Sequence, residues 1–394
     1  MRSRLLVMVA VFVGLLALAG CGSDDDSGSD SGTGGSADSS DIVAEAQENV
    51  DTYFANTSVG PQDTTGPEAV SGQKVVFIDA GTATPSGSAG ASAFEEGSEI
   101  MGWDGTVFDG EFTPSVQQEG IRQAISQQAD GIILYGVDCP VVKAALEEAR
   151  DADLKIVGVS SQDCNDGGET GQQLFDAQIE YPPAPGGDED LTGFSIWGAY
   201  GAAQADWVIA ETDGQAKVIL FQILDFAVTA ELAQGFKDRL AECSECEIVE
   251  TVDLGVKDFG PQMQDIAEQA LLRNPDANAL DGAYADPMEL GIAAAIVSSG
   301  RVADLAVVAG TDNTNKLELA REDKGLNAGF VQTIKWDIWG GMDQLNRLFA
   351  GEDPAVTGES VTMFDQEHNL PPSGPFIPEA DYEGVFENIW AGQG

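Results

Sequence analysis

Seven apolar runs in this chain each end in residues that can hydrogen-bond. "KVVFIDA" runs into Gly81-Thr82-Ala83-Thr84, "GIILYGV" into Asp138, and "LKIVGV" into Ser160-Ser161. "AKVILFQIL" runs into Asp225-Phe226, "ALDGAYA" into Asp286, "LAVVAGT" into Asp312-Asn313, and "LNAGFV" into Gln332. Carboxylates accept hydroxyl hydrogens, while hydroxyls and amides both donate and accept. An aromatic ring such as Phe226 stacks on an apolar C–H face. Together these groups suit a small polyhydroxylated guest. Taken singly, each would serve equally well in a turn or as a helix N-cap: Asp312 before "NKLELA", Asp286 before "PMELG". Their recurrence at the same end of successive runs is what points to binding.

Catalysis has little to stand on. The single histidine, His368, lies in a Pro-rich tail, so no His-based triad or His metal cluster can form. No G-x-G-x-x-G follows the first apolar run, and neither a P-loop nor a G-x-S-x-G elbow is present. The 67 carboxylates guarantee chance pairs, so no glycosidase dyad can be argued. The reading is a non-enzymatic binder without a cofactor or metal. With 18 Lys+Arg and a formal charge of −49, the surface repels nucleic acid and reads as a solubility device.

The elements that must position these groups are legible from periodicity. From Lys74 onward, short apolar runs alternate with stretches of helical spacing such as "PSVQQEGIRQAISQQA" and "PVVKAALEEARDA". Runs apolar throughout, alternating with helices, predict parallel sheets covered on both faces. The irregular "FDAQIEYPPAPGGDEDLTG" interrupts the alternation, which then restarts. The fold expected is α/β, with two doubly wound parallel-sheet, Rossmann-like lobes. Ligands of such sheets bind beyond the carboxyl ends of the strands, where the polar residues fall.

Cysteines point to an oxidising compartment. If the runs before Cys139 and Cys164 are neighbouring parallel strands, both thiols sit at one sheet edge and pair. Cys243 and Cys246 form "CSEC" just after a helix-like run. A redox C-x-x-C needs its first thiol at a helix N-terminus, so a local structural disulfide is the favoured reading. A zinc site ranks third, with only one close pair.

At the N-terminus, two arginines precede the apolar stretch Leu5–Leu18, a secretory signal pattern too short to span a bilayer. Leu18-Ala19-Gly20-Cys21 resembles the bacterial lipobox, which implies cleavage before Cys21 and lipidation of its thiol. The Ser/Gly/Asp tract that follows cannot bury apolar surface and reads as a leash, on the order of 25 Å r.m.s.. The expected layout is 1–21 signal and lipobox, 22–40 linker and 41–73 lead-in. A first lobe covers 74–179 and 334–361, and a second covers 180–333 and 362–394.

Three stretches carry a family resemblance. "GIRQAISQQADGIILYGVDCPVVKAALEEARDADLKIVGVSS", "RNPDANALDGAYADPMELGIAAAI" and "VVAGTDNTNKLELAREDKGLNAGFVQTIKWDIWGGMDQLNRLFAGE" resemble the type I periplasmic binding proteins of sugar ABC transport. The resemblance spans about 74–365. It implies an extracytoplasmic, lipid-anchored, monomeric protein that captures a small polar ligand, a sugar or sugar-like compound, for an ABC transporter permease. The alternative is a ligand-sensing module for a signalling partner.

Carried over position by position, the resemblance puts ligand contacts at Thr84, Ser160, Ser161, Phe259, Asp286, Asp312 and Gln332. Ser160 and Ser161 stand where the family has Asp-Arg. Ala230 stands where it has an arginine, with Asp225 or Phe226 as substitutes. It also implies a three-segment hinge near 178–180, 332–335 and 361–364, about which the cleft shuts on its ligand.

Overall fold

The computed structural model describes residues 39–168, 171–311 and 317–394. The expected signal with Cys21, nearly all of the 22–40 tract, and Asp312 lie outside the described residues.

Helix α1 (Ser39–Ala55) opens the described chain. The first lobe then alternates β1 (Lys74–Asp79), α2 (Pro85–Met101), β2 (Asp104–Asp109), α3 (Pro114–Ser126), β3 (Gly131–Tyr135), α4 (Cys139–Asp151), β4 (Lys155–Val159) and β5 (Ala177–Gln178). Its strands are parallel in the order β2-β1-β3-β4-β5. Central β3 is buried along its whole length, whereas edge β2 is largely exposed. That contrast is the reason "GIILY" is apolar throughout while "DGTVFD" is not.

Local chemistry fixes where the helices start and stop. Thr84 caps α2 by accepting from Gly87 N at 3.1 Å, with Pro85 in the first turn. Gly102 ends α2 at φ 65°, a left-handed position that glycine adopts freely.

A short hairpin, β6 (Glu180–Tyr181) and β7 (Leu191–Thr192), leads to the second lobe. There follow α5 (Ile196–Glu211), β8 (Lys217–Ile223), α6 (Ala227–Leu240), β9 (Glu247–Leu254), α7 (Gln262–Arg273), β10 (Ala279–Tyr284), the single turn α8 (Ala285–Pro287), α9 (Ala293–Ser299), β11 (Ala306–Gly310), α10 (Leu317–Arg321) and β12 (Gly329–Phe330). The second sheet runs β11-β10-β8-β9. Counted from its own first strand, each lobe therefore places strands in the order 2-1-3-4. Both sheets reverse direction of build between their first and third strands, which is where a crevice opens in such folds.

The chain then passes back to the first sheet. After β12 it enters α11 (Ile334–Ala350), whose buried face includes Trp336, Trp339 and Met342; this helix packs on β4 and α2 of the first lobe. It returns to pair β13 (Met363–Phe364) antiparallel with β12. The expected assignment of all of 362–394 to the second lobe needs correction at α12 (Tyr382–Trp390). That helix lies on the first lobe: Tyr382 stacks on Trp336 at 4.7 Å, and Trp390 Nε1 donates to Asp343 Oδ1 at 3.0 Å. Its apolar face (Tyr382, Phe386, Ile389, Trp390) needs cover, and the tryptophans of α11 supply it.

The three crossovers meet in a buried polar knot. Tyr181 OH donates to Asp337 Oδ1 at 2.9 Å, and Gln332 Nε2 to Asp337 Oδ2 at 2.7 Å. Thr333 N donates to Glu359 Oε1 at 2.6 Å, and Gly358 N to Glu180 O at 2.8 Å. Burial raises the carboxyls of both Asp337 and Glu359, and Asp337 lifts Glu359 further. Two disulfides are present. Cys139–Cys164 ties the start of α4 to the loop after β4, and Cys243–Cys246 closes the turn after α6.

Candidate functional site

The loops that leave the reversal points of the two sheets face each other and enclose a cavity of about 120 Å³. From the first lobe it is lined by Asp79, Gly81, Thr84, Ser86, Phe112, Tyr135 and Ser160. From the second come Trp197, Phe226, Thr229, Phe259, Tyr284 and Asp286, and Gln332 enters from the hinge.

Six of the nine expected contacts are therefore brought together: Thr84, Ser160, Phe226, Phe259, Asp286 and Gln332. Ser160 has a left-handed φ of 47°, strained for a non-glycine residue. Its Oγ accepts from Gln332 Nε2 at 3.2 Å, and Tyr284 OH donates to Gln332 Oε1 at 3.2 Å. Gln332 thus ties both walls of the cleft to the buried carboxylate Asp337.

Two expectations are corrected. Ser161 does not line the cleft. Its Oγ is fully buried, accepts from Val137 N at 3.0 Å and donates toward the Val159 and Leu134 carbonyls. It fastens the ends of β3 and β4 instead. Asp225 lines a neighbouring cavity of about 250 Å³ with Asp138 and Val256, where its Oδ2 accepts from Val256 N at 2.6 Å. Asp312 lies outside the described residues.

Several lining residues were missed. Asp79 ends β1, and its Oδ1 accepts from Gly81 N at 2.7 Å. Burial pushes its carboxyl up to about 6, with the Gly81 bond opposing and the Asp109 charge adding. The signal was an acid inside a strand otherwise buried and apolar, "VVFIDA". Asp281 in β10, which does not line this cavity, makes a similar two-residue bond to Ala283 N at 2.7 Å, and burial raises it to about 7. Trp197 hid in a helical stretch and Tyr284 at a strand end, so their type alone marked them.

A direct bridge joins the lobes beside the cavity. Asp138 Oδ2 accepts from Ala227 N at the start of α6 (2.9 Å), and its Oδ1 from Gln162 N (2.9 Å). Phe112 and Phe226 meet edge to face at 6.0 Å across the same gap. Both contacts span the gap between the lobes. A larger cavity, about 610 Å³, lies at the opposite ends of the second sheet's strands, among Trp207, Glu211, Asn278 and Asp304. It touches one lobe only and lies away from the strand ends that carry the polar recurrence, so the smaller cavity is the candidate site. No described helix is long and apolar enough to cross a membrane.

Residues 87–353 match the family model described as periplasmic binding protein domain. Among solved structures, a sugar ABC transporter protein from Yersinia enterocolitica is similar at TM-score 0.65 and 16% identity, covering 84% of this chain and 100% of its own. A glucose-galactose binding protein from Geobacillus stearothermophilus is similar at TM-score 0.63 and 15% identity (76% and 99% covered). The periplasmic component of the arabinose ABC transporter from Shewanella sp. ANA-3, bound to arabinofuranose, is similar at TM-score 0.59 and 19% identity (80% and 95% covered). No curated protein sequence matches the chain.

Proposed function

We propose, from the premise that this chain belongs to the periplasmic binding protein domain family, that it captures a small polar solute between its lobes and hands it to an ABC importer permease. One observation carries the reading: Thr84 and Ser160 of one lobe, Phe226 and Asp286 of the other, and Gln332 of the hinge line a single cavity. Rings for a C–H face beside carboxylate, hydroxyl and amide groups favour a sugar or sugar-like compound. The three similar proteins, described as a sugar ABC transporter protein, a glucose-galactose binding protein and an arabinose transporter component, support the same class.

Binding rather than turnover is the proposed activity, with the shut cleft as the signal a permease reads. The solute favours the closed form because only there do both lobes touch it. The two disulfides suit an oxidising, extracytoplasmic setting. A lipid on Cys21 would hold a monomeric body at the outer face of the membrane, and a Cys21→Ser chain should then leave the membrane fraction. The test of binding is a thermal-shift panel of sugars, polyols, nucleosides and amino acids on the purified body. A ligand at 100 times its Kd adds about 2.7 kcal/mol of stability, a clear rise in Tm. A sugar hit supports the reading, and a panel in which only amino acids or nucleosides respond overturns the ligand class.

A further inference from the structure

The described lining of the cleft holds two carboxylates, Asp79 and Asp286, and no arginine, lysine or histidine. Asp79 is 2% exposed, and its Oδ2 has no hydrogen-bond partner. A carboxylate withdrawn from water is heavily penalised unless a positive charge or a donor answers it. Gly81 N answers Oδ1 at 2.7 Å, but no described group of the cleft wall answers Oδ2, and no positive charge stands there. Two side-chain donors of the lining are already engaged: Gln332 Nε2 with Ser160 and Asp337, and Thr229 Oγ1 with the Ile223 carbonyl. A second orphan has the opposite polarity. Trp197 Nε1, a donor, is buried without a partner. The rings of Phe112, Phe226, Trp197 and Tyr284 complete the walls, and aromatic faces attract cations.

Resting on the sugar-like reading of this cleft, we propose that its guest is an amine-bearing polyhydroxylated solute, with its ammonium set against Asp79 and the aromatic walls and an oxygen acceptor against Trp197 Nε1. A neutral sugar leaves the Asp79 carboxylate without a countercharge. An anionic one adds like charge to a chain already at −49. An amino sugar or amino polyol answers both orphans at once.

Calorimetric titration at pH 7 tests this with compounds that share one ring. In the gluco and galacto series, the 2-amino sugar is compared with its N-acetyl form, the neutral parent and the uronate. The amino sugar should bind about tenfold or more tighter than the parent and the N-acetyl form, with the uronate weakest. A parent or N-acetyl sugar that binds as tightly as the amine overturns the charge assignment and leaves the sugar reading standing. Silence from every compound in both series overturns the amine proposal, while a sugar hit in the wider thermal-shift panel would still uphold the broader reading.

Asp79→Asn removes the charge and keeps the shape. It should lower the ratio of amine to parent affinity about tenfold. Partial destabilisation lowers both affinities together and leaves that ratio unchanged, and an unchanged ratio in a folded variant overturns the role of Asp79. Should Asp79→Asn fail to fold, the comparison of amine, N-acetyl, parent and uronate on the parent chain decides alone.

Discussion

Ser160 and Ser161 are neighbours in sequence and serve different ends. Ser160 lines the cleft, and Ser161 is buried against the ends of β3 and β4. Ser161→Ala should lower the free energy of unfolding by about 1–3 kcal/mol, because Val137 N is left buried without an acceptor. Urea titration measures this, and a variant as stable as the parent chain would contradict the assignment. Phe226→Ala should weaken solute binding by about 10- to 100-fold, since the ring closes one wall and also meets Phe112 across the gap. Calorimetry checks it, and unchanged affinity would place the ligand elsewhere. At this scale the sequence was half transparent. Thr84, Ser160, Asp286 and Gln332 stand out as polar groups just past apolar runs. Asp79 was hidden because it lies within its run, and Ser161 misled because two adjacent serines cannot be assigned to cleft or core without the backbone turn at Ser160.

Elements were more legible than residues, because burial imposes a pattern along many positions at once. The buried strands β1, β3, β4, β8 and β10 are mainly apolar runs, and the prolines at the starts of α2, α3 and α4 mark the onsets of those helices. The placement of α12 was not legible. Which lobe covers an amphipathic tail depends on the tryptophans of α11, distant in sequence. The disulfide Cys139–Cys164 closes a 25-residue separation. Replacing both cysteines by serine should cost about 3 kcal/mol of stability in the chain-entropy account. Denaturant midpoints of the oxidised chain and the double variant measure this, and equal midpoints would contradict it. The bridge from Asp138 to the start of α6 holds the lobes shut. Asp138→Ala should therefore enlarge the radius of gyration of the ligand-free protein in small-angle scattering, and an unchanged radius would show the bridge to be idle.

Across the whole molecule, acidity and burial set the response to pH. Asp79 and Asp281 rise from 3.8 to about 6 and about 7 through burial, and Asp138, Asp337 and Glu359 shift in the same direction. Each folded acid holds its proton more tightly than the unfolded chain does. The stability this gives is fully present below about pH 4 and is lost as pH rises through 6 to 7. Asp281 alone should cost about 2 kcal/mol between pH 5 and pH 7, since one pKa unit corresponds to about 1.4 kcal/mol. Urea titrations in high salt, which screens the net charge of −49, should therefore show stability falling from pH 5 to pH 8. Asp281→Asn should flatten that slope, and stability that rises with pH would contradict the account. Two lobes of one strand order, a hinge knotted at Asp337 and a cleft lined from both sides lead to one central claim, that the solute is held between the lobes. The most direct test is a crystal structure grown with the compound that gives the largest thermal shift. Ligand density among Thr84, Ser160, Phe226, Asp286 and Gln332 is the predicted result, and density in the larger cavity among Trp207, Glu211, Asn278 and Asp304, with the cleft vacant, would contradict it.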